Sequence, residues 1–322
     1  MNEKQLIGID LGGTTIKMAF ITQQGEIIKK WEIPTDKTGK TIITDIANSL
    51  LEKMNESNLT KDQFIGIGMG APGPINFTDG IVYETSNLGW KDYPLRDELE
   101  EKTGLKTVID NDANIAAIGE MWKGAGEGAL DVICVTLGTG VGGGLISNGE
   151  VIRGTNGAGG EIGHMTSIPE GGAPCGCGRT GCLETVASAT GIVRLATEAV
   201  KSTTQSSILR DEFESTGEIS AKAVFDAANA GDKLANEVID EVTFHLGLAI
   251  ANVANSLNPE KIVIGGGVSK AGEGLLKPLK DQFSRYTFPR VRDTAEINIA
   301  TLGNDAGVIG GAYLAKTKIP TL

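Results

Sequence analysis

The sequence predicts an α/β protein in which one structural unit occurs twice. Residues 6–21, LIGIDLGGTTIKMAFI, and 132–146, VICVTLGTGVGGGLI, share one plan: an apolar strand, a turn of glycine and threonine, and a second apolar strand. The segments 106–124 and 261–272 each open as an apolar strand and pass into a helix, the junction typical of open α/β sheets. A third observation breaks the pattern. Residues 161–184, EIGHMTSIPEGGAPCGCGRTGCLE, hold three of the four cysteines and one of the two histidines in a stretch too glycine-rich for helix or strand.

Taken in order, the first turn carries Asp10, Gly12, Gly13, Thr14 and Thr15, with Lys17 just beyond. It serves equally as a plain tight turn or as a set of N–H and O–H donors for a phosphate, with Asp10 placed to hold magnesium through water. Ile42, Ile43, Ile46, Leu50, Leu51 and Met54 fall at helical spacing and predict an amphipathic helix. FIGIGMGAPGPIN (64–76) reads as a buried strand ending in a Gly70, Pro72, Gly73, Pro74 turn, and YETSNLGW (83–90) as a loop with exposed polar side chains. Pro94 opens a short helix that Gly104 closes. Asp110, Asn111 and Asp112 then stand at a strand-to-helix junction. One such residue serves as an N-cap; three leave a surplus that points a carboxylate into a ligand cleft.

In the second hairpin Gly138, Gly140 and Gly143 match the spacing of dinucleotide-binding turns, but the chain continues as a hairpin, LISNGEVIRG, where that motif needs a helix. Beyond Glu184 the pattern is helical: 188–201, then 220–231 with Ser220 as cap, then a long helix from Asp232 to Asn258 ended by Pro259, on which His245 is a packing or surface residue. KIVIGGGVSKAG brings a third glycine turn, EINIATL a further strand, and 304–316 a helix of small residues capped by Asn304.

The length of 322 residues and 40% hydrophobic content are those of a globular protein of one large or two ordinary domains. A net charge of −12 argues against nucleic acid or an anionic membrane as partner. With neither a signal-peptide pattern nor a membrane-length apolar run, the expectation is a cytoplasmic protein, whose cysteines ligate metal rather than form disulfides. Cys134 lies in an apolar run and is expected to be buried. His164, Cys175, Cys177 and Cys182 supply one imidazole and three thiolates, which closes a tetrahedral zinc site with no open position, a structural site that orders the glycine-rich stretch. Glu161 and Glu184 bracket these ligands and remain for another task.

DLGGT at 10–14, GAPGP at 70–74, DNDAN at 110–114, LGTGVGGG at 137–144, EIGH at 161–164, CGCGRTGCLE at 175–184 and GGG at 265–267 together resemble the ROK family over the whole chain, and within it the bacterial glucokinases. The resemblance implies an actin-like (duplicated RNase H-like) fold. Two α/β domains, a small one of 1–113 with 304–322 and a large one of 114–303, would flank the active-site cleft. It also implies an ATP-dependent sugar kinase, with glucose as the substrate and a homo-oligomer, a dimer, as the assembly. Asp112 would be the general base on the 6-hydroxyl, and Asn111, Glu161, His164 and Glu184 would bind the other hydroxyls, with Gly73 beside them. Gly12, Gly13, Thr14, Lys17, Thr139 and Gly140 would surround the phosphates, magnesium would sit near Asp10, and Gly266 would lie near the adenosine. Kinases of N-acetylhexosamines, fructose or allose share these motifs. A sugar-sensing repressor of the same family needs a helix-turn-helix ahead of the hairpin, for which residues before 6 leave no room.

Overall fold

The computed structural model describes residues 3–85 and 88–320. In chain order the elements are β1 (Gln5–Leu11), β2 (Thr15–Ile21), β3 (Ile27–Pro34), α1 (Ile42–Glu56), β4 (Phe64–Ala71), β5 (Ile75–Asn76), β6 (Ile81–Glu84), β7 (Lys91–Tyr93), α2 (Leu95–Thr103), β8 (Thr107–Asn111) and α3 (Asp112–Lys123). There follow β9 (Val132–Leu137), β10 (Val141–Ser147), β11 (Glu150–Val151), α4 (Glu184–Ala187), α5 (Ala189–Ser202), α6 (Ile208–Thr216), α7 (Ala221–Asn229), α8 (Lys233–Leu257), β12 (Lys261–Gly265), α9 (Glu273–Tyr286), α10 (Pro289–Arg292), β13 (Glu296–Ile299) and α11 (Ala306–Lys318). The chain divides into two compact units, Met1–Leu130 with Gly144–Gly160 and Thr301–Leu322, and Asp131–Gly143 with Glu161–Ala300. Among the described residues no helix is long and apolar enough to cross a membrane.

In the first unit a five-stranded sheet runs β3-β2-β1-β4-β8, with β1 antiparallel to β2 and parallel to β4, and β4 parallel to β8. The apolar face predicted at 42–54 holds: Ile42, Ile43, Ile46, Leu50 and Met54 of α1 are buried in a core with Ile7, Ile9 and Met18. The other face is covered by α11, and there the small residues matter. A Cβ on Gly8 would lie 1.8 Å from the carbonyl oxygen of Val308, and one on Gly68 1.8 Å from that of Gly311. Helix and sheet meet backbone to backbone, closer than any side chain permits. α11 also packs on α3, where a Cβ at Gly310 would fall 1.7 Å from the Ile115 carbonyl oxygen. Glu120 of α3, 2% exposed, accepts hydrogen bonds from the N–H groups of Ala125, Thr301 and Leu302. A buried carboxylate thus ties the end of α3 to the segment that enters α11, which explains why α3 belongs with the first unit.

A second five-stranded sheet has the order β11-β10-β9-β12-β13, with β12 parallel to both β9 and β13 and β10 antiparallel to β11. The β10–β11 hairpin removes the helix that a dinucleotide site would need after Gly143. Cys134 is buried in β9, as expected. Ser220 caps α7, its hydroxyl accepting from Ala223 N–H at 3.1 Å, and Gly104 ends α2 with φ of 68°. α8 stops at Leu257, with Asn258 in the left-handed conformation ahead of Pro259.

Two readings need correction. Asn304 does not cap α11: it lies inside a 3-10 turn, Gly303–Asp305, and α11 opens at Ala306 with no side-chain cap. Among the described residues, the stretch 83–90 is an exposed loop only in part: Glu84 and Gly89 are exposed. Ser86 and Asn87 lie outside the described residues, but Tyr83 and Glu84 end β6, and Thr85, Leu88 and Trp90 are buried. Trp90 is drawn in by stacking on Tyr93 and by donating from Nε1 to the Gly39 carbonyl. His245 packs as expected, half-buried and edge-on to Phe244, and its Nδ1 meets Ser167 Oγ at 2.7 Å.

Candidate active site

In the first unit, β1 sets Asp10 opposite Lys17 on β2, and Gly12 N–H donates to Thr15 O at 3.1 Å to draw the turn tight. Thr35 braces it, the hydroxyl donating to Gly12 O at 2.7 Å and the N–H to Thr14 O at 3.0 Å. With these carbonyls engaged by Thr35 and open space beside Gly13, the turn can offer backbone N–H groups and threonine hydroxyls to an anion. Asp10 lies 3.7 Å from Lys17 Nζ, and the first turn of α11 rests on it, since a Cβ at Gly307 would fall 2.6 Å from Asp10 Cγ. Burial raises the Asp10 carboxyl above the usual range, against the pull of Lys17. A divalent cation would relieve that burial cost, so Asp10 fits a magnesium-side carboxylate.

The three residues at the β8–α3 junction have separate tasks. Asp110, 2% exposed, takes Arg153 Nε at 2.8 Å and Nη2 at 2.7 Å on Oδ2, and Asn111 N–H at 2.8 Å and Asn114 Nδ2 at 2.9 Å on Oδ1. Four donors saturate it, so it has no lone pair to offer a substrate. Asn111 is the cap, accepting from Ala113 and Asn114 N–H, and its Nδ2 donates to Gly73 O at 3.1 Å. Gly73 itself has φ of 91° and would strike Glu84 O at 2.3 Å with a Cβ. Asp112, half-buried at the first helical position, accepts Ala113 N–H at 2.9 Å.

In the second unit the Gly138–Gly140 turn closes on itself, Gly138 N–H donating to Gly140 O at 2.9 Å. The start of α5 is fastened to it: Ala189 N–H donates to Gly138 O and Thr190 Oγ1 to Thr139 O, both at 2.8 Å. Glu184 reaches the same turn, its Oε2 accepting Val141 N–H at 3.0 Å, with Oε1 3.7 Å from Cys175 Sγ. Gly266, with φ of 84°, lies against Leu137 at the end of β9. Beside it opens a cavity of about 300 Å³ lined by Gly267, Val268, Ala271, Phe225, Lys222 and Asn229. The sequence pointed to the glycine turn but not to the α7 side chains that complete this cavity.

The ligand atoms of His164, Cys175, Cys177 and Cys182 all lie within 4.8 Å of one another. Cys177 Sγ to Cys182 Sγ is 3.6 Å, as is Cys175 Sγ to His164 Nδ1, against about 3.8 Å for the edge of a tetrahedron with zinc–sulfur bonds of about 2.3 Å. Burial pushes the Cys175 thiol up to about 12, while the Arg179 backbone N–H lowers Cys177 to about 6, and a bound cation would favour the thiolate at Cys175. The set fits a metal ion. His164 turns Nδ1 to the sulfurs and Nε2 toward Glu161, Oε2 lying 4.0 Å away. Arg179, which sequence reasoning passed over, donates to the His164 carbonyl and lies 3.8 Å from Cys182 Sγ.

Two glycine turns, an acidic strand-to-helix junction and a thiol–imidazole cluster fall within residues 6–318, which match the model of the ROK family. The chain belongs to the ROK family. Glucokinase of Halalkalibacterium halodurans is 58% identical over 318 residues, 98% of this chain and 96% of that one. The crystal structure of a ROK family glucokinase from Streptomyces griseus in complex with glucose and AMPPNP is 34% identical, with a TM-score of 0.78 over 97% of this chain and 99% of that one. A ROK family transcriptional regulator, a homolog of E. coli MLC protein, superposes with a TM-score of 0.86 at 28% identity, covering 98% of this ROK chain and 78% of the regulator.

Proposed function

We propose that this ROK protein is an ATP-dependent glucokinase that transfers the γ-phosphoryl group of ATP to the 6-hydroxyl of D-glucose. The observation that carries the reading is the 58% identity to a glucokinase over nearly all of both chains. Asp112 is the base. Saturation of Asp110 by four donors supports that choice, because a base needs a lone pair within reach of the proton it takes. Asn111, Glu161, His164 and Glu184 hold the remaining hydroxyls, with Gly73 alongside. Each sugar hydroxyl both donates and accepts, and fixed carboxylates, an amide and an imidazole satisfy it in one direction. The N–H and hydroxyl groups of Gly12, Gly13, Thr14, Thr139 and Gly140, with Lys17, stabilise the charge that spreads over the phosphoryl oxygens in transfer, and the cavity beside Gly266 takes the adenosine.

Asp10 would hold magnesium, which would supply neutralisation of phosphate charge. His164, Cys175, Cys177 and Cys182 would hold zinc, which would supply rigidity, and with Nδ1 on the metal His164 would keep Nε2 for a sugar hydroxyl. That the fold is duplicated and actin-like is part of the same proposal, supported by the matching strand orders β3-β2-β1-β4-β8 and β11-β10-β9-β12-β13. ADP release measured over a panel of hexoses, with ATP and polyphosphate as donors, tests the reading; turnover of another hexose in preference to glucose, or none at all, overturns it. The second outcome would favour a regulator, given the likeness to one. Asp112→Asn is expected to bind glucose but lose about 10²- to 10⁴-fold in kcat, and wild-type turnover would end the base assignment.

A further inference from the structure

We infer that Arg153 is a positioning residue for the catalytic base, acting through Asp110 on the start of α3; this rests on the reading of Asp112 as that base. Arg153 is the only Lys or Arg between Lys123 and Arg179. Its side chain is 15% exposed, with the guanidinium 3.7 Å from the centre of the Phe77 ring and two of its nitrogens on one Asp110 oxygen. Stacking fixes the plane of the fork and the carboxylate fixes its direction. The other Asp110 oxygen holds Asn111 N–H and Asn114 Nδ2, one group on each side of Asp112 in the chain. Asp112 is therefore bracketed by two bonds to a carboxylate that cannot turn while Arg153 grips it.

The amide of Asn114 shows what this arrangement costs. Its Oδ1 is buried and without a partner, and turning the amide over would set two acceptors face to face at Asp110. A buried ion pair with a stranded acceptor beside it is a poor device for stability alone, and it is well suited to fixing one geometry. The Arg153 carbonyl also accepts Gly159 N–H at 2.8 Å, so the residue that grips Asp110 braces the loop leading to Glu161.

The test compares steady-state kinetics and thermal unfolding of Arg153→Met, Arg153→Lys, Asp110→Asn and the Asp110→Asn/Arg153→Met pair, with Asp112→Asn as reference. Displacing a reacting group by about 1 Å costs about 10²-fold, so Arg153→Met should lose roughly 10- to 100-fold in kcat with KM for ATP within about threefold. Arg153→Lys should recover part of the loss, keeping the charge without the fork, and the double variant should be no slower than the worse single one. If Arg153→Met does not fold, Asp110→Asn, which keeps size and shape, carries the same expectation. Wild-type kcat in both Arg153→Met and Asp110→Asn beside a crippled Asp112→Asn, or a loss explained by the unfolded fraction alone, overturns the role of Arg153. Wild-type kcat in Asp112→Asn overturns the base assignment, and this inference with it.

Discussion

One methyl group is enough to test whether Glu184 holds the sugar from the position it occupies against the 138–141 turn. In Gly140→Ala the new Cβ would lie 2.2 Å from Glu184 Oε2 and 3.2 Å from its Cδ, where ordinary contact begins at 3.4 Å. The backbone accepts alanine, since Gly140 is absent from the positive-φ glycines. What must give is the carboxylate, by about 1 Å, and with it goes the 3.0 Å bond from Val141 N–H. A hydrogen bond to a charged group contributes about 1.5–3 kcal/mol, and 1.4 kcal/mol is tenfold, so kcat/KM for glucose should fall roughly 10- to 150-fold. Because the turn is partly exposed, the unfolding midpoint should move by no more than a few degrees. The assay is coupled ADP release at varied glucose, with circular dichroism melting alongside. A kcat/KM within threefold of the parent would show that Glu184 can yield without consequence, and the reasoning would fail.

Three further outcomes follow from the same coordinates. Gly68→Ala drives a Cβ into the Gly311 carbonyl, backbone against backbone, so stability should drop by about 2–3 kcal/mol or more and the melting midpoint by roughly 5–10 °C; an unchanged midpoint would contradict the close packing of α11. Protein purified without chelators should hold about one zinc per chain by elemental analysis, and Cys182→Ser should lose it together with at least roughly tenfold in glucose KM; a metal-free, fully active parent would refute the cluster as a zinc site. Burial raises the Asp10 carboxyl, so folding favours its acid form: that stabilisation is present below the unfolded pKa and is lost as pH rises through the folded one. Asp10→Asn should therefore melt higher than the parent at pH 7, lose that advantage as the medium is acidified, and show a much weakened ATP response; a lower melting point at pH 7 would count against it.

How much of this could be read from the chain depends on how far apart the partners lie. The set of residues that could hold a metal is legible because Cys175, Cys177 and Cys182 fall within eight residues, with His164 eleven residues before the first of them, and cysteines at such spacing have few other uses. The glycine turns and the α1 face are legible for the same reason, being local patterns of side-chain type. The assignment of Asn304 as a cap failed because capping depends on where the helix starts, and the 3-10 turn before α11 moved that start by one residue, to Ala306. The polar look of residues 83–90 hid Trp90, whose burial depends on Tyr93 and Gly39.

The sequence by itself determined the classes of chemistry: donors for phosphate in the turns, a soft-metal set in the glycine-rich stretch, and a surplus of acids at the head of α3. Only the tertiary structure decided which donors reach which acid. Asp110 and Asp112 are the same residue type two positions apart, and nothing local separates them. Arg153, 43 residues away, completes the donor set of Asp110, just as Glu184 is carried to Val141 across 43 residues. The reason is physical: a carboxylate's task is set by the donors that reach it, and the fold decides which donors those are.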